Sequence, residues 1–194
     1  GERELEGIID EEFGFRPDKV EDRARLYALS KISQEVVMRL FDEFSTKIYG
    51  VIRMGTVLGE GMPEKTAANV FISRGLKGEP LTPYKHSIYR PMLYVDINDV
   101  CKAYYSYVTK ILNGSIIKEK NSLAHIVNLS WPEPMTVLEL AYLIRDIIFR
   151  LTEGKVKPKI EVVDIGRPVI YARENSNIKV NIQKVQGLLG VKDL

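Results

Sequence analysis

The clearest pattern in this sequence surrounds the segment Tyr27-Ala-Leu-Ser-Lys31-Ile-Ser-Gln-Glu35. Between Val20 and Phe44, apolar residues recur at intervals of three and four, which is typical of one stripe on an amphipathic helix. The members of this apolar stripe are Leu26, Leu29, Ile32, Val36, Leu40 and Phe44. The spacing therefore predicts a long helix over residues 20–44.

This helix would place Tyr27 and Lys31 on one face, because residues four apart lie one turn apart. A tyrosine phenol is a poor base at neutral pH, but a nearby ammonium favours the phenolate form. The pair is therefore suited to proton transfer, with the lysine tuning the tyrosine. Of the 10 tyrosines, Tyr27 alone has a lysine at the fourth following position. The spacing leaves a second interpretation open, in which Tyr27 is a surface residue and Lys31 is solvated.

The remaining sequence alternates between short strand patterns and helix patterns, which is typical of an α/β fold. Predicted strands cover residues 47–58, 92–97, 125–130 and 159–164, and predicted helices cover residues 66–74, 98–111, 136–154 and 181–189. Gly75 is expected to stop the first of these helices, and Asn98 is expected to cap the second. Thr136 and Glu139 form the pattern of a capping box at the third. Residues 1–19 have no helix or strand periodicity.

The composition indicates one globular domain without a surface for nucleic acid or membranes. The chain has 194 residues, of which 45% are hydrophobic, so it is long enough to bury a core. Lys and Arg number 28 against 26 Asp and Glu, a net charge of +2, and the basic residues are dispersed among acidic ones. No basic patch and no apolar run of about 20 residues is present. We therefore expect no nucleic-acid partner and no membrane partner.

Cysteine and histidine are too scarce for a disulfide framework or a metal site. Cys101 is the single cysteine, and His86 and His125 lie far apart without metal-ligand spacing. Residues 1–25 are too charged for a secretory signal. The sequence therefore predicts a cytoplasmic protein without metal ligands.

Two motifs follow one another in an order that carries a family resemblance. The first is the pair Tyr27 and Lys31 followed by Glu35, and the second is Tyr49-Gly-Val-Ile-Arg53-Met-Gly-Thr-Val-Leu-Gly59. Their order resembles the extended short-chain dehydrogenase/reductases, and among them the NAD-dependent sugar-nucleotide epimerases and dehydratases. In that family a Tyr-x-x-x-Lys helix precedes a strand that ends in an Arg-x-x-Asn-x-Tyr-Gly-Pro-like loop. The resemblance implies the C-terminal part of a Rossmann-like NAD(P)-binding fold with a small substrate-binding α/β domain.

The resemblance continues in the segment Tyr89-Arg90-Pro-Met-Leu-Tyr-Val95-Asp-Ile-Asn-Asp99-Val100. In the family an arginine here precedes a Val-x-Asp strand and the start of a helix. The resemblance implies that Arg90 binds the diphosphate of a sugar nucleotide, a role suited to a guanidinium that donates two parallel hydrogen bonds. The other interpretation of Arg90 is an ion pair with Asp96 or Asp99.

The roles of the other site residues are implied by the resemblance alone. Tyr27 would be the acid/base that faces the sugar, and Lys31 would hold the nicotinamide ribose. The residues expected to bind the cofactor are Tyr27, Lys31 and Met54, and those expected to bind the substrate are Thr56, Asn69, Arg90 and Arg173. Arg173 is included because the segment from Ile178 to Gly190 resembles the family's closing segment.

The sequence departs from the family pattern in two places. In the second motif, Thr56 stands where the family usually has Asn, Leu58 replaces Tyr and Glu60 replaces Pro. None of the 14 glycines forms G-x-G-x-x-G, the turn that places a pyrophosphate at a helix N-terminus. The resemblance therefore covers only the second half of the family, and the first strands and the glycine-rich turn are absent.

On this basis residues 1–60 are predicted to be a remnant of the Rossmann-like domain, and residues 61–194 are mainly the substrate-binding subdomain. A sheet without its first strands would leave the strand predicted at 47–58 with an unpaired edge. We therefore expect a homodimer or a complementing N-terminal Rossmann half. A separate chain, proteolysis and a shortened sequence stay open as origins of the missing half.

The leading hypothesis for function is an NAD-dependent epimerase or dehydratase that acts on a nucleoside-diphosphate sugar, similar to UDP-glucose 4-epimerase. NADP is the other candidate cofactor. The isolated chain is expected to be a truncated, inactive form that binds NAD weakly or not at all. Two alternatives stay open: a non-catalytic module for nucleotide-sugar binding or assembly, and an α/β scaffold whose motif match is accidental.

Overall fold

The computed structural model describes residues 7–20, 22–171 and 178–191 of the chain. Arg173, a predicted diphosphate contact, lies outside the described residues. Within them, helices alternate with short strands, and most strand pairs are parallel. The predicted α/β class is confirmed.

The helices and strands have the following bounds. The α-helices are α1 (Arg25–Phe44), α2 (Ala67–Leu76), α3 (Ile97–Leu112), α4 (Val137–Leu151) and α5 (Gln183–Leu189). The strands are β1 (Gly7–Ile9), β2 (Val51–Met54), β3 (Thr56–Leu58), β4 (Pro91–Met92), β5 (Tyr94–Asp96), β6 (Ile126–Leu129), β7 (Met135–Thr136) and β8 (Ile178–Val180).

The strand pairs bring together distant parts of the sequence. β2 runs parallel to β6, β3 runs parallel to β5, and β1 runs parallel to β8. β4 and β7 form a short antiparallel pair. Parallel neighbours need a crossover connection, and α2 lies in the connection between β3 and β5.

Gly55 separates β2 from β3, and the two strands take different partners. The Gly55 N–H donates to the Leu129 carbonyl at 3.0 Å, at the end of β6. The Thr56 N–H donates to the Leu93 carbonyl at 2.7 Å, beside β5. A Cβ at position 55 would lie 2.9 Å from the Leu93 oxygen, so a side chain does not fit there without a backbone shift. The chain therefore changes strand partner at a residue that has no side chain.

Two hydrophobic clusters hold these elements together. The first joins α3, β5, β6, β8 and α5, and its buried residues are Val95, Val100, Ala103, Tyr107, Ile116, Val127, Leu129, Val180, Ile182, Val185, Leu189 and Val191. The second joins α2 and α4, and its buried residues are Ala68, Phe71, Leu81, Leu140, Ala141, Ile144 and Ile148. The predicted domain boundary between residues 60 and 61 stays a prediction.

Helix α1 turns two carboxylates toward the rest of the chain. Its buried residues are Glu35 and Asp42. The apolar stripe lies mainly on the exposed side, where Leu26 and Phe44 are 84% and 82% exposed. Arg53 binds the carboxylate of Glu35, and a backbone N–H and two basic side chains contact that of Asp42. The face of α1 that packs on the rest of the chain is therefore the one that carries these polar contacts.

The predicted helices are confirmed, with small differences at their ends. α2 continues through Gly75 to Leu76, because a glycine inside a helix weakens it without ending it. The cap of α3 is Asp96 and not Asn98, since the Asp96 carboxylate accepts the Asn98 N–H at 2.8 Å. The capping box predicted at Thr136 is confirmed at the start of α4.

The strand predictions are less accurate. The single strand predicted over residues 47–58 starts only at Val51 and is interrupted at Gly55. The strand predicted over residues 159–164 is wrong, because this segment makes only isolated bridges to Leu81 and Tyr84. β1 lies in a segment where no strand was expected, since its partner β8 is at the other end of the described chain.

Candidate functional site

Tyr27 and Lys31 lie side by side on α1. The Lys31 ammonium is 5.8 Å from the centre of the Tyr27 ring. Lys31 also donates a hydrogen bond to the side-chain oxygen of Gln34 at 3.1 Å. Both side chains of the pair are exposed, Tyr27 by 68%. The helix presents a phenol and an amine together, as their spacing predicts, and their catalytic role stays a prediction.

An open cleft of about 890 Å³ lies between α1 and β2 and is called the α1 cleft below. Its lining residues are Tyr27, Lys31, Gln34, Glu35, Met38, Gly50, Val51, Ile52, Arg53, Met54, Gly55, Thr56, Val57 and Tyr104. One wall carries the phenol and amine of Tyr27 and Lys31, and β2 supplies apolar surface. Apolar and polar side chains therefore both line this cleft.

A second cavity, of about 290 Å³, lies on the other side of Gly55, the residue at which the chain changes strand partner. It is called the β3 cavity below. Its lining residues are Ile9, Met54, Gly55, Thr56, Arg90, Pro91, Met92, Leu93, Pro134 and Ile178. The two cavities share the segment from Met54 to Thr56. This segment begins at the carboxyl end of β2, and open α/β sheets bind ligands beyond the carboxyl ends of their strands.

Arg90 contributes a positive charge to the β3 cavity. Its side chain is half-buried, and its backbone N–H donates to the Ser87 carbonyl at 3.0 Å. Of the two aspartates considered as its partners, Asp96 caps α3, and Asp99 pairs with Lys102 at 3.0 Å. A guanidinium at the wall of a cavity is suited to an anionic ligand.

Tyr94 is the titratable neighbour of Arg90. Burial raises the pKa of Tyr94 to about 12, and the positive charge of Arg90 acts in the opposite direction. Tyr94 is therefore a neutral phenol at physiological pH.

The other predicted ligand residues divide between the cavities and α2. Met54 and Thr56 line both cavities. Asn69 lines neither, because its side-chain amide donates to the Met62 carbonyl at 3.1 Å in the turn before α2. The backbone N–H of Asn69 donates to the Thr66 hydroxyl at 3.4 Å. The ligand roles of Met54, Thr56 and Asn69 stay predictions.

Three further residues of the α1 cleft were given no role by the sequence. Glu35 and Arg53 line it as a directly bonded pair, and Tyr104 reaches it from α3. Glu35 could have been found, because it lies four residues after Lys31 and therefore on the same face of the helix. Tyr104 has no local signal, since its place depends on how α3 packs beside β2.

The described residues contain no group of three or more His, Cys, Asp and Glu side chains arranged to bind a metal ion. In the same part of the chain, every helix is too short or too polar to cross a membrane.

No protein-family model and no curated protein matches this sequence. Solved structures match its fold. MoeE5 in complex with UDP-glucuronic acid and NAD has a TM-score of 0.66 and 18% identity, over 96% of this chain and 54% of its own. UDP-glucuronic acid 4-epimerase from Bacillus cereus in complex with NAD has a TM-score of 0.65 and 15% identity, over 97% of this chain and 52% of its own. DesIV, a dTDP-glucose 4,6-dehydratase from Streptomyces venezuelae with NAD bound, has a TM-score of 0.65 and 16% identity, over 98% of this chain and 51% of its own.

These similarities establish the fold of the described chain. It is the Rossmann-like α/β fold found in solved NAD-dependent sugar-nucleotide epimerases and dehydratases. The chain spans about half the length of each of these proteins. The fold class predicted from the Tyr27 and Lys31 motif is therefore confirmed.

Proposed function

We propose that this chain supplies the acid/base pair and the sugar-nucleotide side of an NAD-dependent epimerase or dehydratase. The substrate would be a nucleoside-diphosphate sugar. The observation that supports this most strongly is the meeting of two cavities at the segment from Met54 to Thr56. Tyr27 and Lys31 lie in one of these cavities, and Arg90 lies in the other.

The ligands of the similar structures support this choice. MoeE5 was solved with UDP-glucuronic acid and NAD, and also with UDP-glucose and NAD. By analogy, the α1 cleft would take the nicotinamide end of NAD, and the β3 cavity would take the diphosphate of the sugar nucleotide. NADP remains the other candidate cofactor, since a related fold was solved with NADPH.

The residues of the α1 cleft fit the nicotinamide end of the cofactor. Lys31 has N–H donors for the ribose hydroxyls, and Val51 and Ile52 offer apolar surface to a ring. The sequence has no glycine-rich turn for the pyrophosphate. We infer that residues outside this chain bind that end, so the isolated chain should bind NAD weakly or not at all.

Tyr27 would exchange a proton with the sugar. As a phenolate, its Oη accepts the proton of the hydroxyl that is oxidised, and it returns the proton when the ketone is reduced. The Lys31 ammonium, 5.8 Å from the centre of the Tyr27 ring, would bring a positive charge beside the phenol during this exchange. NAD, when bound, would supply the hydride acceptor and then the hydride donor. Reduction of the ketone from the opposite face of the ring gives the epimer.

We propose an epimerase reaction like that of UDP-glucose 4-epimerase in preference to a dehydratase reaction. Epimerisation needs one acid/base group and a keto sugar that rotates within the site, so that its other face meets the hydride donor. A dehydratase needs a further acid and base near the sugar. Among the described residues that line the two cavities, Glu35 carries the one carboxylate, and Arg53 binds both of its oxygens. A dehydratase would therefore have to draw its further acid and base from residues outside this lining.

Two surfaces of this chain would be covered by a partner. Among the described residues, β2 pairs along one edge only, with β6. The apolar stripe of α1 is largely exposed. We propose that a complementing Rossmann half pairs with the open edge of β2, or that a second copy of the chain covers the apolar stripe.

The role of Arg90 can be tested by calorimetric titration of the chain with UDP-glucose. We expect Arg90→Gln to raise the Kd about tenfold or more, because the loss of charged hydrogen bonds costs about 1.5–3 kcal/mol. Arg74→Gln is the matched control, since Arg74 bonds to Thr82 at 2.7 Å and lines neither cavity. Equal loss of affinity in both variants, or no binding by the unchanged chain, would contradict the proposal.

A non-catalytic module for nucleotide-sugar binding is the second candidate. The missing glycine-rich turn favours it for the chain by itself. It predicts UDP-glucose binding that depends on Arg90, and no turnover when a dinucleotide-binding half is supplied. Turnover in that assembly would exclude it.

A further inference from the structure

Glu35 and Arg53 form a two-point ion pair at the base of the α1 cleft. The Arg53 Nη2 donates to Glu35 Oε1 at 2.6 Å, and its Nε donates to Oε2 at 2.9 Å. The Glu35 side chain is 8% exposed and that of Arg53 is 21% exposed. Both carboxylate oxygens are therefore engaged by one planar guanidinium, which is a geometry that lysine cannot reproduce.

This ion pair changes what Lys31 can contact. Lys31 and Glu35 lie four apart on α1, a spacing at which a lysine and a glutamate on a helix attract each other. Glu35 instead gives both oxygens to Arg53. Lys31 bonds to Gln34 and lies over the Tyr27 ring. The amine is thus left on the Tyr27 side of the cleft.

Arg53 is itself held in place by contacts from outside α1. Its Nη1 donates to the Glu11 carbonyl at 3.1 Å, and its guanidinium lies 5.3 Å from the centre of the Phe15 ring. The Glu11 carboxylate accepts the Asn128 N–H of β6 at 2.7 Å. The guanidinium that binds Glu35 is therefore also held by the segment after β1, which is itself bonded to β6.

We propose that Arg53 is a positioning residue that holds the carboxylate of Glu35 and so keeps the Lys31 amine directed toward Tyr27. This inference rests on the proposed function, because it assigns the amine a role beside the phenol. In this role Arg53 acts through Glu35 and Lys31. Two cations lie four residues from Glu35 on its own helix, Lys31 and Arg39, and Arg39 already donates to the Ser122 hydroxyl at 3.2 Å. Without Arg53, the carboxylate of Glu35 therefore pairs with Lys31.

The test is the rate at which acetic anhydride labels Lys31 in the 194-residue chain, measured by mass spectrometry relative to the exposed Lys65. Arg53→Gln should slow Lys31 labelling by about twofold or more, because an amine paired with a carboxylate is less often the neutral nucleophile. Glu35→Gln/Arg53→Gln should restore the original rate, since no carboxylate is left. An unchanged rate in a folded Arg53→Gln variant would overturn the proposal.

Glu35→Gln alone keeps the test decisive if Arg53→Gln does not fold. It removes the carboxylate but leaves Arg53 in place, so the proposal expects the Lys31 rate of the unchanged chain. Labelling that accelerates by about twofold or more would mean that Glu35 already holds Lys31, which would overturn the proposal.

The labelling result does not depend on catalysis, so it separates this inference from the proposed function. In an assembly that turns over UDP-glucose, Arg53→Gln should lower kcat with little change in KM, and the double variant should recover kcat. A loss of kcat that the double variant does not recover would indicate a structural role only. Absence of turnover in the unchanged assembly, with the labelling pattern intact, would refute the proposed function alone.

Discussion

At the residue scale, the buried carboxylate of Asp42 joins the end of α1 to the segment before β6. Its Oδ1 accepts the Tyr49 N–H at 2.7 Å and pairs with Lys118 at 2.8 Å. Its Oδ2 lies 2.7 Å from Nδ1 of His125. Burial alone would raise the pKa of the Asp42 carboxyl, but hydrogen bonds from these three partners outweigh it and hold the pKa below its usual range.

Replacing Asp42 by Asn should weaken the fold and reduce its sensitivity to acid. Removal of one partner from a buried ion pair costs about 3 kcal/mol. A carboxyl with a lowered pKa in the folded state contributes stability above its unfolded pKa of about 3.9, and this contribution is lost as the pH falls below that value. Urea unfolding at several pH values should therefore show a smaller decline in acid for Asp42→Asn than for the unchanged chain.

Asp164→Asn is the control for this prediction. Asp164 is an exposed carboxylate that pairs with Lys85 at 2.8 Å, so the same substitution there should change the free energy of unfolding only slightly. If Asp42→Asn keeps both the stability and the pH profile of the unchanged chain, the account of the Asp42 cluster is wrong.

The sequence predicts some of the site at this scale and misses the rest for a physical reason. Tyr27 and Lys31 could be placed together because helical spacing is a local property. The contact between Glu35 and Arg53 depends on how α1 packs against β2, which no local pattern reports. The position of Arg90 likewise depends on the change of strand partner at Gly55.

At the scale of elements, the packing of α3 against the segment before β2 depends on the absence of a side chain at Gly50. A Cβ there would lie 2.5 Å from the ring of Tyr107. That ring is buried, and its hydroxyl donates to the His125 carbonyl. Burial raises the pKa of Tyr107, and the negative charge of Asp42 raises it further, so the phenol remains a donor.

Gly50→Ala should therefore lower the free energy of unfolding by about 1–3 kcal/mol, because the rigid ring cannot move aside. Gly187→Ala, within α5, is the matched control, since no atom lies within 4 Å of its added Cβ. Alanine in a helix interior should raise stability there by about 0.5–1 kcal/mol. Urea unfolding of the two variants measures both changes, and equal effects of the same sign would contradict the packing described for Gly50.

The elements differ in how well the sequence predicts them. α1 and α4 could be predicted because their periodicity and the Thr136 capping box lie within one segment. β1 could not, since three residues carry little pattern and the partner β8 is distant. The side of α1 that packs was not predictable either, because it is the side with ion pairs to Arg53 and Lys118, whereas the apolar stripe is largely exposed.

At the scale of the whole molecule, the open surfaces border the α1 cleft. α1 forms one wall of the cleft and carries the exposed apolar stripe, and β2 contributes lining residues and is paired only with β6 among the described residues. The solved proteins with this fold are about twice as long as this chain. The sequence shows directly that these 194 residues contain no G-x-G-x-x-G turn. It does not show the strand order, because the paired strands are distant in sequence.

The central claim is that Tyr27, beside Lys31, exchanges the proton of the sugar hydroxyl. The most direct test is kcat for conversion of UDP-glucose to its 4-epimer by an assembly of this chain with a dinucleotide-binding half and NAD. Tyr27→Phe should lower kcat by about 100-fold or more. Tyr105→Phe, at an exposed tyrosine that lines neither cavity, should leave kcat unchanged. A Tyr27→Phe assembly that turns over at the original rate would contradict the account.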